Sequence, residues 1–181
     1  NNGYAKLNGY RMLYLNEQLK NINLSQEGEY SYYSADSTSH SGFEYESRIF
    51  IDSKTILDIN GTLQMNVFNN GNFLPNNPSS IMNASLSRIF SDDLLLYANY
   101  KKIGGMYIDN TNVEDGYISS YSILDLGASI SWKKVKVDIK INNVFNRLYS
   151  TYGYSYEYNG YNAFYWPGAD RNTFINLSYS F

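Results

Sequence analysis

The stretch Val135-Lys136-Val137-Asp138-Ile139-Lys140-Ile141 alternates without a fault, apolar at odd positions and charged at even ones. Successive side chains of a strand point to opposite faces. Folded as a strand, the segment therefore has one oily face and one that must be wet. The segment before it repeats the pattern, with Leu124, Leu126, Ala128, Ile130 and Trp132 against Asp125, Gly127, Ser129 and Ser131. Further upstream, Leu57, Ile59, Leu63, Met65 and Val67 stand opposite Asp58, Asn60, Thr62, Gln64 and Asn66. Weaker versions at about 4–15, 19–34, 43–52, 79–90 and 94–107, with the closing segment from about 171, predict about nine strands. Each is close to the roughly 9–11 residues that a tilted strand needs to cross a bilayer.

The totals suit this reading. The 181 residues include 20 Tyr and only 3 Pro, and aromatics make up 17% of the chain; such a mixture with Asn and Ser favours strands and turns over helices. A net charge of −3 and the lack of any Lys/Arg run argue against a nucleic-acid partner. Cysteine is absent, so there is neither a disulfide framework nor a Cys-based metal site. No apolar run approaches the roughly 18 residues of a membrane helix. That excludes helical spans only, because a barrel wall hides its apolar residues at alternate positions and keeps the mean hydropathy low, here −0.44. The opening NNGYAKLNGY has no initiator Met, basic region or apolar region, and reads as a processed or truncated end.

The connections sort into two kinds. Short turns are expected around 16–18, 52–54, 91–93 and 133–134, and long polar, aromatic or Gly-rich stretches near 35–42, 69–78, 108–118 and 147–170. Short and long alternate, as in an up-and-down transmembrane barrel with tight turns on one side and large loops on the other. Pro75, Pro78 and Pro167 fall in or beside the long stretches, as residues without an N–H must. A soluble β-sandwich also has alternating strands, but it explains neither the strand length nor the loop asymmetry. Tyr10, Tyr14, Tyr30, Tyr32, Tyr97, Tyr100, Tyr121 and Tyr179, near strand ends, suit interfacial girdles. Arg88 falls on the face of Met82, Ala84 and Leu86 but stands just before the Ser91 turn, where it can snorkel.

The terminal region INNVFNRLYSTYGYSYEYNGYNAFYWPGADRNTFINLSYSF resembles the C-terminus of TonB-dependent outer-membrane receptors. Asn142, Asn143, Val144, Phe145, Asn146 and Tyr149 match the family's Asn-Asn-(Leu/Val)-Phe-(Asn/Asp)-x-x-Tyr box, and Pro167, Gly168, Arg171 and Phe181 its close. AKLNGYRMLYL resembles an upstream family strand, departing at Arg11, where an acidic residue is usual; LPNNPSSIMNASLSRIF with LLLYANY, and YSILDLGASISW, resemble two further segments. The resemblance implies a 22-stranded barrel plugged by a separate N-terminal domain and energised through TonB. Residues 1–181 would then be the C-terminal part of an all-β, antiparallel barrel wall, with the plug domain and N-terminal strands absent. It also implies outer-membrane lipid and the barrel-assembly machinery as partners, the latter reading the terminal Phe181, in the outer membrane of a Gram-negative bacterium.

Candidate sites follow from the loops. Tyr152, Tyr154, Tyr156, Tyr158, Tyr161, Phe164, Tyr165 and Trp166 crowd one long stretch, and amphipathic rings give contact area at low entropy cost. These are the leading ligand-binding candidates, with 69–77 and 109–117 on the same side as weaker ones. His40, the single histidine, lies in the polar stretch ADSTSHSGF, where a solvated imidazole is expected and a ligand contact is the sharper alternative. Nothing links His40 by spacing to a Ser and an acid in a triad, and no His/Asp/Glu cluster has metal-ligand spacing. No enzyme chemistry and no cofactor are implied. Lys136, Asp138 and Lys140 face the lumen, as solvated wall polarity or as contacts for a plug. The resulting reading is active transport of a scarce nutrient, a ferric siderophore or haem by the resemblance. The alternative is a self-contained small outer-membrane barrel with a structural or adhesion role, which would have to pair its first and last strands.

Overall fold

The structure, a computed structural model, describes residues 3–24, 30–157 and 159–181, with the backbone alone for residues 21–24, 30 and 31. Its strands are β1 (Tyr4–Leu24), β2 (Tyr30–Asp52), β3 (Thr55–Phe68), β4 (Ser80–Ser91), β5 (Leu94–Ile103), β6 (Met106–Tyr107), β7 (Tyr117–Ile118), β8 (Tyr121–Trp132), β9 (Val135–Asn142), β10 (Ser150–Glu157), β11 (Tyr161–Pro167) and β12 (Asn172–Tyr179), with one 3-10 turn at Glu114–Gly116. Eight of them form a single antiparallel sheet in the order β1-β2-β3-β4-β5-β8-β9-β12. The other four make two small hairpins, β6 with β7 and β10 with β11. Among the described residues β1 pairs only with β2 and β12 only with β9, so the sheet is an open wall.

Register gives the wall two unlike faces. Val137, Ile139 and Ile141 of β9 stand opposite Leu177, Ile175 and Thr173 of β12, and opposite Ile130, Ala128 and Leu126 of β8. The same face continues through Leu96, Leu86, Leu57, Leu63 and Phe43 to Leu7. Leu7, Leu63 and Leu177 are 75%, 56% and 70% exposed. A sandwich would bury this face under a second sheet; here it is bare over the whole wall, as a lipid-facing surface is.

The inner face is polar, with ion pairs both between strands and within β9. Lys6 pairs with Glu46 at 3.4 Å, Arg48 with Asp58 at 2.6 Å, Lys140 with Asp125 at 3.1 Å and Lys136 with Asp138 at 3.3 Å. The lumen charges at 136, 138 and 140 are thus engaged within the wall. Arg88 reaches the β2–β3 turn, 3.0 Å from Asp52 Oδ2 and 2.6 Å from Thr55 Oγ1, which is how an arginine on the oily face keeps its head polar.

Glycines inside the sheet are covered by rings. Gly9 stands opposite Phe43, Gly42 opposite Tyr10, Gly61 opposite Tyr45 and Gly127 opposite Tyr97, and in each pair the ring lies over the glycine. A ring on the bare backbone of a strand glycine replaces the packing that the missing side chain would supply. This corrects the girdle expectation for Tyr10 and Tyr97, which face inward over Gly42 and Gly127. Tyr14 also turns inward, against His40, and Tyr121 is buried beside Tyr149. The Tyr30 side chain lies outside the described residues.

Two expected connections are not there. The backbone runs as strand through 16–18, so the expected strand 4–15 continues to 24; the expected strand 19–34 is divided between β1 and β2, with 25–29 outside the described residues, and 35–42 is the middle of β2. Asn16 has φ 59, the left-handed conformation that asparagine tolerates. It breaks the alternation without reversing the chain: Glu17, which simple alternation would place beside Leu15 outside, reaches Thr38 and His40 inside. The remaining short turns, at 53–54, 92–93 and 133–134, lie where expected.

Candidate functional site

The long-loop end of the wall carries an ordered cap built from residues 69–79, 104–120 and 143–171. Its hydrophobic centre is Met106, Ile108 and Ile118, with Ala163 against them. This is the core cluster of the described residues, and it lies in the loops rather than against the sheet.

Asp109 is the polar node of the cap. It is 3% exposed and accepts hydrogen bonds from Thr111 N at 2.8 Å, Thr111 Oγ1 at 2.5 Å, Ser155 Oγ at 2.5 Å and the Tyr161 hydroxyl. Burial pushes its carboxyl up, but the Ser155, Thr111 and Tyr161 donors outweigh burial and hold it below the usual carboxylate range. Burial and the bond to Asp109 push the Tyr161 hydroxyl up. The Tyr165 hydroxyl donates to Asp115 O. Asn76 joins a third loop to the hairpin, donating to Gly153 O at 3.2 Å and accepting from Gly153 N at 3.4 Å. Asn72 and Asn112 complete the stitching between 72–73 and 109–112.

With one face of the β10–β11 hairpin fixed on this cap, the other presents rings. Tyr152 stands opposite Trp166 and Tyr154 opposite Phe164. Tyr154 and Phe164 stack with centroids 5.2 Å apart, Tyr156 and Phe164 at 5.3 Å, and Trp166 lies 5.5 Å from Tyr152 and 5.2 Å from Tyr154. Phe164 is 40% and Trp166 54% exposed. Beside this ladder a cleft of about 270 Å³ is lined by Gln18 and Lys20 of β1, Asn76, Tyr152 and Tyr154. The structure therefore divides the candidates: Tyr152, Tyr154, Tyr156 and Trp166 form an accessible ring surface, while Tyr161 and Tyr165 anchor the hairpin. Tyr158 lies outside the described residues.

The residues of the Asn-Asn-Val-Phe box form a braced corner. Asn143, 2% exposed with φ 49, donates through Nδ2 to Arg147 O at 2.9 Å and Ala169 O at 3.1 Å, and accepts from Arg147 N at 2.9 Å. Its backbone N–H donates to Asp125 Oδ1 at 2.9 Å. Asn146, also left-handed at φ 50, accepts from Arg171 N at 2.8 Å. Asn142 donates to Asn172 Oδ1 at 2.8 Å. Tyr149 lies over Gly168, next to Pro167, and against Tyr121. The departure of β9 from the wall and the return of β12 are thus tied together. Phe145 is 77% exposed, outside this network.

His40 is not in a loop. It lies within β2, its Nε2 3.1 Å from Glu17 Oε2 and its ring 5.1 Å from that of Tyr14. With a side chain only 17% exposed, it is not the solvated imidazole expected. Phe181 follows β12 fully exposed, its ring 5.3 Å from that of Tyr179. The spacing of the sequence showed neither Asp109 as a node nor Glu17 as a partner of His40, because both depend on a chain reversal or a face switch.

No protein-family model matches the chain, and no curated protein sequence matches it. Solved structures do. The ferric yersiniabactin uptake receptor FyuA of Yersinia pestis superimposes with a TM-score of 0.80 at 20% identity, over 99% of this chain and 28% of that one. For the ferric enterobactin receptor PfeA of Pseudomonas aeruginosa the figures are 0.75, 18%, 98% and 29%. For the copper transporter OprC they are 0.79, 13%, 100% and 30%. The chain spans under a third of the length of each. Its fold is that of a stretch of the β-barrel wall of the TonB-dependent outer-membrane receptors.

Proposed function

We propose that this chain is part of the wall and outer cap of a TonB-dependent receptor, with tight turns toward the periplasm and the cap outside. The receptor takes up a scarce, large nutrient, with a ferric siderophore as the leading cargo. The observation that carries the reading is the combination of a bare apolar outer face, a wet inner face and a rigid cap bearing an aromatic ladder. Its likeness over nearly its whole length to uptake receptors and a transporter supports transport over enzyme chemistry. In this reading Tyr152, Tyr154, Tyr156 and Trp166 meet the cargo. The unpaired edges of β1 and β12 are completed by further wall strands, a plug fills the lumen, and Phe181 is read by the assembly machinery.

The test is uptake of radio-iron presented as siderophore complexes of different chemistry in cells expressing the full receptor gene. Uptake of at least one complex should disappear on deleting the gene and equally on inactivating TonB. Uptake that survives either loss for every complex overturns the proposal.

A further inference from the structure

Two charges of the wall lie on its oily face with no acid to meet them. In β1 the odd positions from Ala5 to Leu15 point outward, and Leu7, Leu13 and Leu15 are exposed there. Arg11 stands in the middle of this stripe, opposite Ser41 of β2, which in turn stands opposite Met65 of β3. Outside the turns, the outer-face positions of the described sheet that hold a charge are Arg11, Arg88 and Lys102, and all three are cations. Arg88, beside a short turn, is answered by Asp52. Arg11 and Lys102 lie toward the cap, and among the described residues no carboxylate pairs with either. β3 climbs roughly 23 Å from Thr55 to Met65, at about 3.3 Å per residue and a tilt of about 45°. The apolar band of a barrel is about 25 Å tall, so Met65 is near its top and Arg11, two strands along the same ladder line, is in its upper half. An open groove of about 670 Å³ runs here, lined by Arg11, Ser41, Phe43, Leu63 and Met65.

We propose, on the reading that the oily face meets lipid and the cap lies outside, that Arg11 anchors one phosphorylated glycolipid of the outer leaflet. A phosphate sits on the guanidinium, and an acyl chain runs along Phe43, Leu63 and Met65. A guanidinium in a lipid-facing band is costly unless its head reaches an anion or the interface. Phosphate is the anion that the interface supplies, and the guanidinium fork matches two of its oxygens at once. The neighbouring strand favours a glycolipid over a phospholipid. Ser37, Ser39 and Ser41 carry the outer face of β2 from Arg11 toward the cap, and hydroxyls suit the sugar that bears the phosphate. Ser41 already donates to Met65 O at 3.3 Å, so Ser37 and Ser39 supply the donors. Lys102, opposite Met82 and Ser122, offers a further cation at the same end of the wall.

The test uses the full receptor chain in detergent, with native mass spectrometry to count bound diphosphoryl lipid A, its dephosphorylated form and phosphatidylglycerol. Wild type should retain one more lipid A than Arg11→Leu, with an affinity at least about fivefold higher. Arg11→Lys keeps the charge but loses the fork, and should fall between. The dephosphorylated form should bind wild type and Arg11→Leu alike, and phosphatidylglycerol should bind wild type more weakly than lipid A does. Ser39→Ala should weaken lipid A and leave phosphatidylglycerol unchanged. Insertion into phosphatidylcholine vesicles, which carry no net charge, should be at least as complete for Arg11→Leu as for wild type, since the change removes a charge from the oily face. Equal lipid A binding by wild type and an inserted Arg11→Leu overturns the site alone. Phosphatidylglycerol bound as tightly as lipid A overturns it in favour of a phospholipid. Failure of the wild-type chain to insert into any vesicle overturns the membrane wall, and the site with it.

Discussion

One amide holds the corner where β9 leaves the wall. Asn143 is buried, left-handed and bonded through both side-chain atoms. Asn143→Ala strands two carbonyls and an N–H and should cost about 2–4 kcal/mol, read as a lower urea midpoint in micelles. Asn143→Asp keeps the acceptor for Arg147 but turns a buried carboxylate oxygen on two carbonyls, and should cost more than Asn143→Ala. Asp109 is the equivalent residue in the cap, and its effect depends on pH. Its folded carboxyl sits below the usual range, so its contribution is fully present above the unfolded value of about 3.9 and is lost as pH falls through the folded one. Protection factors of the amides at 108–118 and 153–165 should therefore be unchanged from pH 7 to 5 and fall at more acidic pH. Asp109→Asn should exchange faster at pH 7 and lose that acid dependence.

At the scale of elements, the hairpin and the strand glycines make separable predictions. Tyr154→Ala or Trp166→Ala should weaken cargo binding by about 1–3 kcal/mol without unfolding the cap. Tyr161→Phe should instead loosen the cap, since it removes the hydroxyl that donates to Asp109. The atoms nearest a Cβ added at Gly127 all belong to the far end of the Tyr97 ring, so Tyr97→Ala in the same chain should restore most of a loss of about 1 kcal/mol in Gly127→Ala. Gly61→Ala meets the backbone carbonyl of Ile81 as well as Tyr45. No change at 45 should rescue it. Most of these elements were legible in the sequence, because lipid on one side and water on the other enforce strict alternation, as in 135–141. The exception was 16–42. Asn16-Glu17-Gln18 carries turn chemistry used for a face switch, and serines at 37, 39 and 41 erase the apolar stripe of β2. The pairing of β10 with β11 was legible as alternating Tyr, but which rings face the cap was not, since that is decided by Asp109 from another loop.

For the whole molecule, the two faces of the wall decide where charge is tolerated. Ile59→Arg puts a guanidinium on the outer face and should cost about 2–4 kcal/mol if lipid covers it, and Asn60→Arg on the wet side should cost far less. Folding yields into lipid vesicles measure the difference, and equal costs would contradict a membrane wall. Because Met106, Ile108 and Ile118 pack against the hairpin and Asp109 takes its hydroxyl donors from Ser155 and Tyr161, no one of these loops can be traded between receptors alone. A transplanted hairpin without those partners would leave the buried Asp109 carboxylate with Thr111 alone as donor. In the proposed receptor, a change of cargo by recombination must therefore move the loops as a set, whereas the ladder rings can drift one at a time.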